Sequence, residues 1–284
     1  MADNPATIDI KLVAQLEKLV GKQAEPIQLV EEEWETQESN PEIVDAANKA
    51  IEAQKAGATL PAEVARPLVN SLFKSNNLDQ ALELQSALIT IEDAPASDHF
   101  NYGLILKGLE RMDEAEKSYR KALEIAPEDV AILSHLGYLL EETGRKEEAE
   151  ATFRKAVAGD PKNADLRNQF AYYLWEHGCA DEAQSEVRKA LELDGNNSYA
   201  HATLGLLLFE KNDLDKGKRH YERAIKLNPE DEPLQQKFCY EYGRALVRNG
   251  YKSMGRNYLE AAKKYECVIV SEEDIDAELA KIVD

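Results

Sequence analysis

The chain has 284 residues, 31% of them charged, and 54 Asp and Glu against 34 Lys and Arg leave a formal charge of −20. That balance repels phosphate backbones and anionic lipid surfaces, which argues against general nucleic-acid binding and against a membrane-surface role. No apolar run approaches the roughly 20 residues a membrane-spanning helix needs, so a soluble chain is expected.

At the amino end, residues 1–30 carry Ile8, Leu12, Leu16, Leu19 and Val20 at helical spacing, which predicts a helix or arm. Met1 to Ile10 holds two Asp and no base before Lys11, unlike a secretion signal, so the cytoplasm is the expected location. Residues 31–40 are acidic and polar around Trp34 and read as an exposed linker or mobile arm. A helical extension follows over 41–61. Over 62–95 a degenerate copy of the later pattern is expected from Leu72, Asn76 and Ala81, although Pro67 falls inside its first helix.

From residue 96 the chain repeats every 34 residues. Small residues recur at Gly103, Gly137, Ala171 and Gly205, and Leu106, Leu140, Leu174 and Leu208 follow three places later. Ala115, Ala149, Ala183 and Gly217 form a further column, and so do Ala122, Ala156, Ala190 and Ala224. Pro127, Pro161 and Pro229 close their copies, with Gly195 in the gap. Two helices that cross closely need small side chains where their backbones meet, so each copy reads as a packed helix pair. Gly144, Gly178 and Asn212 fall where a helix end favours a left-handed residue. The copies span 96–129, 130–163, 164–197 and 198–231. A divergent fifth spans 236–269, where Gly243 lies 38 residues after Gly205; the four added residues lengthen either the connection or the next helix. Residues 271–284 read as a capping helix, with Ser271 and Asp274 as a capping box ahead of Ile275, Leu279 and Ile282.

These columns, with the aromatic positions Tyr119, Phe153 and Tyr221, resemble the tetratricopeptide repeat. Departures are Val187 in the aromatic column, and His99, Leu133, Arg167 and His201 where the family has its first-helix aromatic. The resemblance implies an all-α, right-handed superhelical solenoid of antiparallel helix pairs, about five to six repeats with terminal capping helices, whose first helices line a concave groove. By position in the repeat, that groove would carry Phe100, Asn101, Leu104, Ser134, His135, Tyr138, Asn168, Gln169, Tyr172, Trp175, Thr203, Leu206 and Phe209. Rings grip by area and amides by hydrogen bonds to a peptide backbone, so capture of a peptide or helix is the functional reading. The alternative is that these rings pack against the neighbouring repeat or a terminal arm.

The fifth copy reverses the sign of the charge. Lys237, Arg244, Arg248, Lys252, Arg256, Lys263 and Lys264 face only Glu241 and Glu260. Lys237, Tyr240, Arg244 and Arg248 take groove phases, where an acidic tail or a phosphate group would dock, or the cations pair with the acidic stretches at residues 271–284 or 31–38. Family members that hold acidic chaperone tails use Lys, Asn and Arg on the inner faces of three successive repeats. Here Phe100, Ser134, Asn168 and Ala202 fill one such phase, which disfavours that role.

Catalysis needs titratable groups gathered with matched pKa values, and no such motif appears. The five histidines occur singly, and Cys179, Cys239 and Cys267 form no Cys-x-x-Cys pair. The expectation is therefore a protein without catalytic, metal or cofactor sites, whose partners are one or more proteins or peptide segments. Two roles stay open: an adaptor or chaperone-like holder of a client segment, or a structural subunit that self-associates or joins a larger complex, with a homo-oligomer as one form.

Overall fold

The computed structural model describes residues 10–21, 40–265 and 270–282. Those residues form fifteen helices and no strand. The expected arm at 31–39 with Trp34, together with Ile8 and Cys267, lies outside the described residues. Two units divide the chain, Met1–Ala156 and Val157–Asp284.

In the first unit, α1 (Ile10–Val20) packs on α2 (Pro41–Lys55) and α3 (Ala62–Lys74). The pairs α3 with α4 (Leu78–Leu88), and α5 (Ala96–Gly108) with α6 (Met112–Ile125), follow. Next come α7 (Val130–Glu142) and α8 (Lys146–Gly159), the latter starting in the first unit and ending in the second. Pro67 sits inside α3 without ending it. The second unit holds α9 (Ala164–Glu176), α10 (Ala180–Leu193), α11 (Ser198–Glu210), α12 (Leu214–Leu227), α13 (Glu232–Arg248), α14 (Lys252–Ala262) and α15 (Glu272–Ala280).

Each pair nests through its small residues. A Cβ on Gly103 would meet the Tyr119 ring at 2.5 Å, and one on Gly205 would meet the Gly217 carbonyl at 3.1 Å, so a larger side chain at either place would push the helices apart. The turn inside each pair is left-handed. Asn76, Glu110 and Asn212 take φ of 56°, 59° and 59°, at the phase where Gly144 and Gly178 both have 79°. The amide after each such residue reaches back five places, as in Arg145 N to Leu140 O at 2.8 Å, which satisfies carbonyls the helix end would otherwise leave open.

A second regularity starts the first helices. Asp129, Asn163, Asn197 and Asp231 are the N-caps of α7, α9, α11 and α13, and each side chain accepts from an amide of the first turn. At the carboxyl end Ser271 Oγ accepts from Asp274 N at 3.1 Å, the expected cap of α15. The four added residues lengthen α13, which has 17 residues against 13 in α11, one more turn.

Helix α11 contacts α9, α10, α12 and α13, and Thr203 through Phe209 are all buried. A helix that is apolar all round needs neighbours on every side, and here it has them. Among the described residues, no helix is long and apolar enough to cross a membrane.

Candidate functional site

The structure separates the expected groove residues into two sets. Phe100, Asn101, Leu104, Asn168, Trp175, Thr203 and Phe209 are buried, Trp175 to 4% exposure, and are not the open lining that repeat position suggests; Ser134 and Leu206 are buried with them. The cause is packing. Phe100 meets Tyr119 at 5.6 Å and His135 at 5.0 Å, and Phe209 meets Tyr242 at 4.3 Å, so these rings are spent on their own core. His135, Tyr138, Gln169, Tyr172, Lys237, Tyr240 and Arg244 are partly buried, and Arg248 is exposed. Tyr138 lies edge-on to Phe153 at 5.0 Å, on the pair formed by α7 and α8.

In the second unit α9, α11 and α13 lie side by side, and across buried α11 their side chains meet. The Tyr172 hydroxyl is 3.2 Å from Glu241 Oε1 and 3.3 Å from Glu176 Oε1, and donates its single proton to one or the other. Arg244 stands 3.6 Å from the same Glu176 oxygen and 5.5 Å from the centre of the Tyr240 ring. Lys237 lies 5.9 Å from the Tyr199 ring centre. Burial pushes the Glu241 carboxyl above the usual range, with Lys237, the Tyr172 hydrogen bond and Arg244 opposing it and Glu176 adding to it. The Tyr172 phenol is raised as well, by burial first and then by Glu241 and Glu176. This face presents phenols, guanidinium and carboxylate in alternation over a dry apolar helix. Tyr199, which the sequence reading left out, occupies it through the contact with Lys237.

The basic fifth copy is partly neutralised from within. Lys263 pairs with Glu272 at 2.9 Å and Asp276 at 2.8 Å, and Arg256 donates to the Ile282 carbonyl at 3.4 Å. Helix α15 is thus held by ion pairs and by an apolar cluster of Cys239, Leu259, Ala262, Ile275 and Ile282.

One histidine pair also escaped the sequence reading. His201 Nδ1 and His220 Nδ1 are 2.9 Å apart, joining α11 to α12, and His201 Nε2 faces the Gly195 carbonyl at 3.2 Å. The carbonyl accepts from Nε2–H, which makes His201 Nδ1 the acceptor and His220 the donor; this tautomer is assigned from the network. Burial lowers both imidazole pKa values from 6.5. Arg223 lowers His201 further, while Gly195 and Asp194 raise it; His201 and Arg219 lower His220 further. A group whose folded pKa is depressed stabilises the fold fully above its unfolded value, and this stability drains as pH falls through 6.5 towards the folded values. The second unit is therefore expected to lose stability as pH falls through about 6.5. The His201→Gln/His220→Gln variant, followed by urea titration, should flatten that loss, and an unchanged slope would rule the pair out as its source.

Tetratricopeptide repeat family profiles match residues 93–162 and 198–231. A search of curated proteins found no match. Among solved structures, a tetratricopeptide repeat protein from Parabacteroides merdae ATCC 43184 is 16% identical with a TM-score of 0.53, over 76% of this chain and 96% of that one. MamA from residue 41 onward, from Desulfovibrio magneticus RS-1, is 18% identical with a TM-score of 0.51, over 60% and 96%. The APC/C hetero-tetramer Cut9-Hcn1 is 13% identical with a TM-score of 0.62, over 84% of this chain and 46% of that one. At these identities the likeness is one of fold. Profile matches, shared fold and the nested small-residue helix pairs agree: the chain carries tetratricopeptide repeats over residues 93–162 and 198–231.

Proposed function

We propose that the protein is a non-enzymatic scaffold that holds a peptide segment or a helix of another protein against the face formed by α9, α11 and α13. The observation that carries this reading is the group of partly accessible side chains made by Tyr199 in the first turn of α11 and by Tyr172, Lys237, Tyr240 and Arg244 on the helices that flank its buried centre. Large rigid rings offer contact area at a small entropic cost, and the adjoining cations and carboxylates add direction. With the centre of α11 closed to solvent, contact area comes from the flanking helices α9 and α13.

Site-specific photo-crosslinking tests it. Benzoyl-phenylalanine placed at Tyr199 or Tyr240 of the full chain in native extract should yield one shared adduct, absent when the probe sits at exposed Leu193 at the end of α10. Equal labelling at all three positions would overturn the assignment of this face. A shared adduct at twice the mass of the chain would identify the partner as a second copy and favour the self-assembly role over the adaptor role.

A further inference from the structure

Helix α15 neutralises only one side of the basic end. On its other side a cleft of ≈ 260 Å³ is lined by Arg244 and Arg248 of α13, Glu278 of α15, Lys281 just beyond it, and Val247. Glu278 is engaged by Lys281 at 2.6 Å, and Arg244 is shared with Glu176 and the Tyr240 ring. Arg248 is exposed and makes no ion pair among the described residues. Val247 packs on the apolar cluster beneath, so one wall of the cleft is apolar while its rim is cationic.

In a chain with a formal charge of −20, an unpaired guanidinium beside two further cations is a local reversal of the surrounding potential. We infer that the cleft receives an acidic peptide segment, a carboxylate meeting Arg248 and Arg244 while a neighbouring small apolar side chain covers Val247. Arg is suited to this because its planar fork pairs with both oxygens of a carboxylate. A bare anion would leave Val247 uncovered, whereas a peptide that sets an apolar side chain among its carboxylates covers it. The inference rests on the scaffold reading, since Arg244 belongs to both surfaces, and it names the chemistry of the segment held at the α13 end.

The test is fluorescence anisotropy of the full chain with a fluorescein-labelled Glu-Glu-Leu-Glu-Glu peptide. Saturable binding is expected at low ionic strength, weakening as salt is added. Arg248→Glu should weaken it at least tenfold, and Arg248→Lys should weaken it less than Arg248→Glu does, because lysine keeps the charge but loses the fork that meets both carboxylate oxygens. Helix content by circular dichroism should match in all three proteins. Absence of saturable binding, an affinity unchanged by Arg248→Glu, or displacement by millimolar inorganic phosphate or a single-stranded oligonucleotide would each overturn the assignment. Failure here with the Tyr199 and Tyr240 adducts intact would remove only the acidic-segment cleft. Loss of those adducts with peptide binding intact would remove the wider face instead.

Discussion

Asp98→Ala is expected to destabilise the first unit by about 3–5 kcal/mol, the cost of breaking a buried ion pair by removing one partner. Asp98 has no solvent exposure, and the Arg66 side chain has 13%. Both carboxylate oxygens are used: Arg66 Nε donates to Oδ1 at 3.1 Å and Nη2 to Oδ2 at 2.9 Å, while Gln85 Nε2 donates to the Asp98 carbonyl at 2.8 Å. Residues of α3, α4 and α5 thus converge on one aspartate. Alanine would leave a guanidinium with little water and no counter-charge. The penalty belongs to the stranded charge rather than to the pair as a source of stability, because bringing both ions out of water already costs much of what they regain. That distinction is measurable. Arg66→Met/Asp98→Leu, which removes both charges and refills the space, should recover most of the loss. Urea denaturation of the three proteins, with hydrogen exchange locating the change in residues 1–156, checks it; a double variant as unstable as Asp98→Ala would mean the ions themselves hold these helices together.

The parts of the fold legible in the sequence are those where geometry forbids alternatives. Gly103 and Gly205 recur because a second helix lies too close for a large side chain, and Gly144 and Gly178 because the chain turns left-handed there. Glu110 shows the limit of that logic: it takes the same φ of 59° without being a residue that favours it, so only its place in the period reveals the turn. The N-cap column of Asp129, Asn163, Asn197 and Asp231 stood in the sequence at the same spacing, but a polar residue between helices looks equally like a solvated loop.

The proposed interaction face was less legible because exposure is decided by neighbours rather than by phase. Position in the repeat places Thr203 and Phe209 beside Tyr172, yet both are buried in α11, which contacts four helices, while Tyr172 keeps partial exposure. The unbroken run Leu204 to Phe209 was the available warning, since such a helix has no polar side to show. Contacts such as Tyr172 with Glu241, 69 residues apart, leave no periodic trace at all. The basic end was readable as charge. Its division into cations taken by α15 and an Arg248 without an ion pair among the described residues was not, because that depends on which side of α13 and α14 the terminal helix covers.

Tyr242→Ala should cost the second unit about 3–5 kcal/mol, the range for emptying a large aromatic site in a packed core. The Tyr242 ring is fully buried and stacks on Tyr221 with centroids 4.0 Å apart and planes 8° from parallel. Phe209 lies 4.3 Å away on its other flank and Tyr258 stands edge-on at 4.3 Å. One ring therefore links α11, α12, α13 and α14, and the neighbours cannot collapse into the void, because Gly243 and Gly255 already bring the backbones of α13 and α14 into contact. Tyr242→Phe keeps the ring and each of these contacts and should stay within about 1 kcal/mol of the parent, since a single hydroxyl in a largely apolar site contributes little net stability. The two variants separate packing from polarity. Hydrogen exchange should show amides of α11 to α14 opening together in Tyr242→Ala and remaining protected in Tyr242→Phe. Loss confined to α13 would mean that the stacked rings do not couple successive repeats, and that the unit holds together through its small-residue helix contacts alone.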